Sequence, residues 1–290
     1  MIHRTVSSSS LYPISNLEAS LAASSAQGTT IAIRYKEGIV LIAMSPKEQT
    51  PTSKDERSEN DTDCFIPITS RGNTISKSLK ILQEKYGLAM SITGFASDCN
   101  YVTRYLAGAI SEHEFIYGGE LLSCQSLVRD TLAPLLREKT MGNGNRPLGV
   151  QAMVIGAETI DSSNGKQTIA TLDPSGNTRY WTQHAVIGKH SEIVKKYLSK
   201  VSNDTSHPQH QISNWEDALQ LGLSAMLDGI QISKNIHDMS TEEIIKDVNC
   251  FIFWNQASSS LGKCASIQHA WVSKILCACI EDRNKAKQLF

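Results

Sequence analysis

The chain has 290 residues, 40% of them hydrophobic and 20% charged, with a formal net charge of −1. That length carries one large domain or two small ones, and the apolar share suffices for a sizeable core. The near-neutral balance gives no electrostatic reason to expect nucleic acid or an acidic membrane as partner, and no apolar run reaches the roughly 18–20 residues needed to cross a bilayer. The first residues, Met1-Ile-His-Arg-Thr-Val6 and then Ser7–Ser10, lack the apolar stretch of a secretion signal. The seven cysteines (Cys64, Cys99, Cys124, Cys250, Cys264, Cys277, Cys279) are odd in number, and Cys277-Ala-Cys279 has no matching second pair. They are expected to be reduced thiols in a protein of the cytoplasm and nucleus, with no metal and no cofactor.

At the N-terminus Leu11, Ile14, Leu17 and Leu21 recur at near-helical spacing, which predicts a short amphipathic helix over about residues 14–25. Pro13 fits its first turn, and Gln27-Gly28 ends it. The period then changes. Thr29-Thr-Ile-Ala-Ile-Arg-Tyr35 alternates and is rich in β-branched residues, Lys36-Glu-Gly38 turns, and Ile39-Val-Leu-Ile-Ala43 returns, so a hairpin is expected. Residues 46–63 hold no large hydrophobic side chain and read as a solvated surface insertion. Residues 75–82 and 88–92 read as the next two strands. Helical spacing follows over 95–110 (Phe95, Val102, Tyr105, Leu106, Ala109) and 121–136 (Leu121, Val128, Leu132, Leu135).

Strands resume at 150–156 and 167–172, around Asp161-Ser-Ser-Asn-Gly165. Asp173-Pro-Ser-Gly176 has the chemistry of a turn, and 179–187 is expected as one strand. Helices are expected over 191–201 and 215–230, the second capped by Asn214, with a polar loop at 202–213 between them. Residues 241–243 open a helical turn or lead into a strand at 248–254, and a final helix is expected over about 267–280. Strands, two helices, strands, two helices and a strand suit an α+β arrangement of two antiparallel sheets between helix layers. The regular βαβα alternation of a doubly wound sheet is missing.

The familiar catalytic signatures are absent: no phosphate loop, no Gly-x-Ser-x-Gly, no His-Glu-x-x-His. Met141-Gly-Asn-Gly-Asn145 lacks the Lys-Ser/Thr that a phosphate loop needs and reads as a connection. One pair remains. Thr29 opens a strand after Gly28, and Lys80 lies in the third strand. In a threonine-type hydrolase, cleavage before the threonine frees an amine that acts as base for its hydroxyl, and a nearby lysine lowers the proton affinity of the site.

Several runs, in this order, resemble subunits of the 20S proteasome. Thr29-Thr-Ile-Ala with Tyr35-Lys-Glu-Gly-Ile-Val-Leu-Ile-Ala43 is similar to the first hairpin of both its α-type and β-type subunits. Lys80-Ile81, followed fourteen residues later by Gly94-Phe-Ala-Ser-Asp98, is similar to their third and fourth strands and the start of their first long helix. Arg146-Pro-Leu-Gly-Val150, Asp173-Pro-Ser-Gly176 and Ile187-Gly-Lys-His-Ser-Glu192 resemble α-type motifs, as do Leu11-Tyr12 and Leu17-Glu-Ala19 in the N-terminal helix. The resemblance runs from about residue 11 to 255. It implies a four-layer αββα sandwich of two antiparallel sheets flanked by helices. Residues 1–27 would be an N-terminal tail and α-type helix, 28–255 the sandwich with its 46–63 insertion, and 256–290 a C-terminal helical tail.

Two roles follow from the resemblance. A β-type subunit would be a threonine peptidase with Thr29 as nucleophile and Lys80 as helper. Such subunits carry an aspartate six residues past the turn glycine, where this chain has Met44, and a Gly-Ser-Gly run, where it has Gly188-Lys-His-Ser191. A thioether cannot orient an ammonium as a carboxylate does. An α-type subunit is non-catalytic: its N-terminal helix lies across the cleft, which leaves Thr29 acylated by upstream chain. It would sit in a seven-membered α-ring stacked on a β-ring, and gate the passage of unfolded polypeptide during ubiquitin-dependent degradation. Its partners would be other α and β subunits and the C-termini of a regulatory particle or other activator, whose carboxylate Lys80 would receive in a pocket between neighbours. The chain departs from the α pattern in places. Ser7–Ser10 replaces the aromatic-Ser-Pro entry to the helix, and His3-Arg4 alone stands near the Tyr-Asp-Arg gate motif. Ile92-Thr93 reads as two extra residues, which would move the pocket position to Ser78, beside Lys77.

Overall fold

A computed structural model describes residues 12–26, 28–44, 65–67, 79–83, 88–118, 122–141, 146–157, 167–204, 212–233, 248–255 and 262–288. The chain opens with helix α1 (Tyr12–Ser24) and the hairpin β1 (Thr29–Tyr35) and β2 (Gly38–Met44). Short β3 (Phe65–Pro67), β4 (Leu79–Gln83) and β5 (Leu88–Gly94) lead to the long helix α2 (Ala96–Ile116). A second helical run holds α3 (Cys124–Ser126), a π-helical stretch (Leu127–Leu132) and α4 (Ala133–Met141). Then come β6 (Val150–Ala157), β7 (Gln167–Leu172), β8 (Thr178–Trp181) and β9 (His184–Gly188), helices α5 (Ser191–Asp204) and α6 (Trp215–Ser233), strands β10 (Val248–Asn255) and β11 (Gly262–Ile267), and helix α7 (His269–Gln288).

The strands form two sheets, one of six in the order β3-β11-β10-β2-β1-β9 and one of five in the order β4-β5-β6-β7-β8. Every pairing is antiparallel. Alternation along each strand divides the apolar side chains among three layers. Ala32, Ile39, Leu41, Met153, Ile155, Phe251 and Phe253 meet between the sheets. Ile31, Ile33, Val40 and Ile42 point the other way, against Leu219, Leu223 and Leu227 of α6 and Val272 and Leu276 of α7. On the far side Leu88, Met90 and Ile92 pack beneath Val102 and Leu106 of α2 and Leu132 and Leu136 of the second helical run. This is the expected αββα sandwich of two antiparallel sheets flanked by helices.

Five local expectations change. First, the N-terminal helix starts two residues earlier than expected, with Pro13 in its first turn. Second, the segment 179–187 is two strands: β8 pairs with β7 in the five-stranded sheet, β9 pairs with β1 in the six-stranded one, and Thr182-Gln183 carry the chain across. The Arg34 N–H takes the Gln183 carbonyl at 2.7 Å, which starts the new pairing before His184. Third, the helix expected over 121–136 is interrupted by the π-helical stretch. Pro134 has no N–H to return to Asp130 and its ring crowds that turn, and the Ala133 N–H reaches back five residues to Val128. Fourth, three helices run past their expected ends: α2 to Ile116, α5 to Asp204, into the expected polar loop, and α7 to Gln288. Fifth, the tail after 255 is not purely helical: β11 pairs with β10 from Phe251↔Ser266 to Asn255↔Gly262, so this segment is built into the six-stranded sheet. The insertion at 46–63, residues 75–78 and the turn at 241–243 lie outside the described residues.

Phe253 is wholly buried between the sheets. Phe253→Ala should therefore cost about 3–5 kcal/mol through lost burial and the cavity left behind, measured by chemical denaturation of the full chain.

Candidate functional site

The cleft between the sheets opens at the end where β1 begins and β5 and β9 finish. Polar groups line it. The hydroxyls of Thr30 and Ser91 meet at 2.9 Å across the two sheets, and the Gly188 N–H donates to Oε1 of Gln151 at 3.0 Å. Gly28 stands at the mouth. A side chain there would lie 3.1 Å from the Met44 carbonyl and 3.7 Å from Cγ2 of Thr93 on the opposite sheet. The residue ahead of β1 that is aimed into the cleft is therefore a glycine, which brings no side-chain group of its own.

Thr29 points elsewhere. It alternates with Thr30 and shares a face with Ile31 and Ile33, which pack toward α6. Its hydroxyl donates to the Lys189 carbonyl, and the Lys189 N–H returns to the Gly28 carbonyl at 2.6 Å. Met44, its register partner, packs against the same outer cluster. Lys80 lies on β4, an edge strand of the other sheet. Leu79 and Ile81 face the inter-sheet core, whereas Met90, opposite Lys80, faces the α2 layer. Lys80 thus turns toward α2 and Cys99. Thr29 and Lys80 occupy opposite outer faces with both sheets between them, and the structure does not bring them together.

Burial depresses the Lys80 ammonium, partly offset by Cys99. Burial, reinforced by the Asp98 charge, pushes the Cys99 thiol up to about 12.

Helix α1 covers the mouth of the cleft. The Ser20 hydroxyl donates to the Pro147 carbonyl at 3.2 Å, and Thr93 donates to the carbonyl of fully buried Ser24 at 3.3 Å. Beneath α1 two backbones meet closely. Gly94 has φ of 133°, and a Cβ on it would stand 2.0 Å from the Gly149 oxygen. Only glycine combines that conformation with that approach. The Phe95 N–H takes the same oxygen at 3.0 Å.

The contact is clamped by an ion pair. Asp98, in the first turn of α2, accepts from Nη2 and Nη1 of Arg146 at 2.7 and 2.9 Å and from the Gly149 N–H at 2.9 Å. Its side chain is 4% exposed against 63% for Arg146. Burial alone would raise the Asp98 pKa, but the hydrogen bonds from Arg146 and Gly149 and the guanidinium charge hold it below the ordinary carboxylate value. Both motifs are visible in the sequence, yet their contact is not. An acidic residue in a helix's first turn and an arginine ahead of a Pro-x-Gly strand entry were the available signals. The Asp173-Pro-Ser-Gly176 turn is as expected: the Gly176 N–H bonds to the Asp173 carbonyl at 2.9 Å, Asp173 Oδ1 caps the N–H groups of Ser175 and Asn177, and Gly176 has φ of 74°.

Fold and site together describe a sandwich of two antiparallel sheets between helix layers, with its cleft capped by its own first helix. Comparison with known proteins agrees. The family model "Proteasome subunit" matches residues 67–244. Proteasome subunit alpha type-8 of Mus musculus is 27% identical over 150 residues, covering 47% of this chain and 56% of that protein. Proteasome subunit alpha type-2 of Dictyostelium discoideum is 26% identical over 215 residues, covering 74% and 77%. Proteasome subunit alpha-type 8 of Homo sapiens is 31% identical over 106 residues, covering 36% and 38%. The chain belongs to the proteasome subunit family, of which it is a divergent α-type member. The match spans about half the length of the mouse relative.

Two outcomes follow. With a folded pKa below the ordinary carboxylate value of about 3.9, Asp98 contributes stability that is present above that value and lost as pH falls through the folded one. Asp98→Asn should lower the Tm near neutral pH and shrink the loss of Tm on acidification, measured by thermal melts from about pH 7 to about pH 2. Second, a neutral-pH alkylating reagent should label exposed Cys277 about tenfold or more faster than half-buried Cys99, read by peptide mass spectrometry.

Proposed function

We propose that this chain is a non-catalytic subunit of a proteasome α-ring, acting in ring assembly, control of polypeptide entry and activator docking during ubiquitin-dependent degradation in the cytoplasm and nucleus. The observation that carries this reading is helix α1 seated across the cleft mouth, above a cleft-facing position that is Gly28. A cleft covered by α1, with no side chain at position 28 ahead of β1, is suited to assembly and not to peptide hydrolysis. The peptidase alternative needs Thr29 and Lys80 side by side, and they stand on opposite outer faces.

In this reading the exposed side of α1, with Asn16, Glu18, Ala19 and Ala22, meets neighbouring α subunits. Lys80, half-buried on an edge strand, offers an ammonium to the terminal carboxylate of an activator chain. Unfolded polypeptide passes the ring without being cut by this subunit.

The test is the intact mass and N-terminus of the chain in its native assembly, with the mass of that assembly. Residues before Thr29 retained in a very large cylinder support the reading. A mature chain beginning at Thr29 overturns it. Lys80→Ala should lower stimulation by an activator about tenfold, the scale of one charge-assisted contact, and leave the assembly's mass unchanged.

A further inference from the structure

Besides the Thr93 bond from β5 to its Ser24 carbonyl, helix α1 rests on a short segment that belongs to no strand. Among the described residues, Ser20 donates to Pro147, and Ala23 lies 3.4 Å from where a Cβ on Gly149 would stand. Residues 147–149 precede β6 and have no ladder partner of their own. Their position comes from α2 and its entry: the Gly149 N–H goes to Asp98, the Gly149 carbonyl accepts from Phe95, and Arg146 bridges Asp98 to the Pro147 carbonyl at 3.2 Å. The Pro147 carbonyl is thus shared between Arg146 and the α1 hydroxyl of Ser20.

We propose that Asp98 and Arg146 form a latch that positions α1 over the cleft, so that opening the ion pair frees the helix while the sandwich stays folded. The pair lies at the cleft end and adds no apolar side chain to the three core layers. The Arg146 side chain is mostly exposed and its loss leaves no internal cavity; Asp98 shares the buried face of α2 with Val102, Leu106 and Ile110, at the end of that row nearest the cleft mouth. Without Arg146, the buried Asp98 carboxylate keeps, among the described residues, the Gly149 N–H and a long 3.3 Å contact from Ser97. A half-compensated buried charge draws water, and the 146–149 seat loosens. Both are positioning residues: they act on α1 through the seat beneath it. The purpose of the latch rests on the α-ring reading, because a freed helix would remove one ring-forming surface.

Hydrogen–deuterium exchange on the full chain tests the latch without requiring a ring. In Arg146→Ala, amides of residues 21–26 should exchange about tenfold or more faster while those of β1, β2 and β10 are unchanged. Arg146→Lys should recover part of the protection, and Ser20→Ala, which removes one anchor and leaves the seat intact, should have a smaller effect. Unchanged exchange at 21–26 in Arg146→Ala overturns the proposal. So does a rise that appears equally in β1, β2 and β10, since that is loss of the whole sandwich. Selective release of α1 in a variant that still enters a full ring, by native mass spectrometry, supports the latch and overturns instead the part given to α1 in the α-ring reading.

Discussion

The buried carboxylate of Asp98 is the constraint on which the cleft end of the molecule depends. It lies in the first turn of α2, where the helix dipole already favours a negative charge, and it gathers Arg146 and the Gly149 backbone onto that turn. The close approach of Gly94 and Gly149 is possible because neither carries a side chain, and it holds because the carboxylate fixes the strand entry. Helix α1 then rests on a surface that the ion pair has built. Removing any of these would be felt at the cleft mouth first and in the apolar layers last.

The three apolar layers explain why the two candidate catalytic residues do not form a site. In a strand a shift of one residue moves a side chain to the other face of its sheet. Thr30 faces the cleft and meets Ser91, so Thr29 cannot. Leu79 and Ile81 face it too, so Lys80 cannot. What remains at the mouth is Gly28, together with hydroxyl and amide groups that bond one another. The same polar lining that would suit a reacting site here ties the two sheets together.

Most of the architecture was legible because period-two and helical spacing are strong in the runs that are buried on one side. The β1–β2 hairpin, β5 to β7 and the Asp173 turn stand where alternation and turn chemistry put them. The misses have separate causes. Residues 179–187 are apolar or β-branched enough to read as one strand, and only the tertiary partner of each half divides them. Pro134 signals trouble within a helix, but whether the chain ends, kinks or widens depends on what lies beneath. The strand Gly262–Ile267 is short and ends in a run that continues as helix, so its ladder with β10 is invisible without the fold. At the site the motifs were visible one by one. Face and contact were not, because they join residues about fifty positions apart.

The strand order has a further consequence for the growing chain. All five strands of the smaller sheet are contiguous in sequence, from Leu79 to Trp181, and can pair as soon as they are made. The six-stranded sheet is split: β1 and β2 are synthesised first, while β9, β10 and β11 arrive after the whole of the other sheet. Until then the Ile39–Ala43 run, fully enclosed in the finished protein, presents an apolar strand with an open edge. Pairings so distant in sequence form slowly. The N-terminal hairpin therefore keeps an open apolar edge, of the kind prone to misassociation, until the last strands close over it.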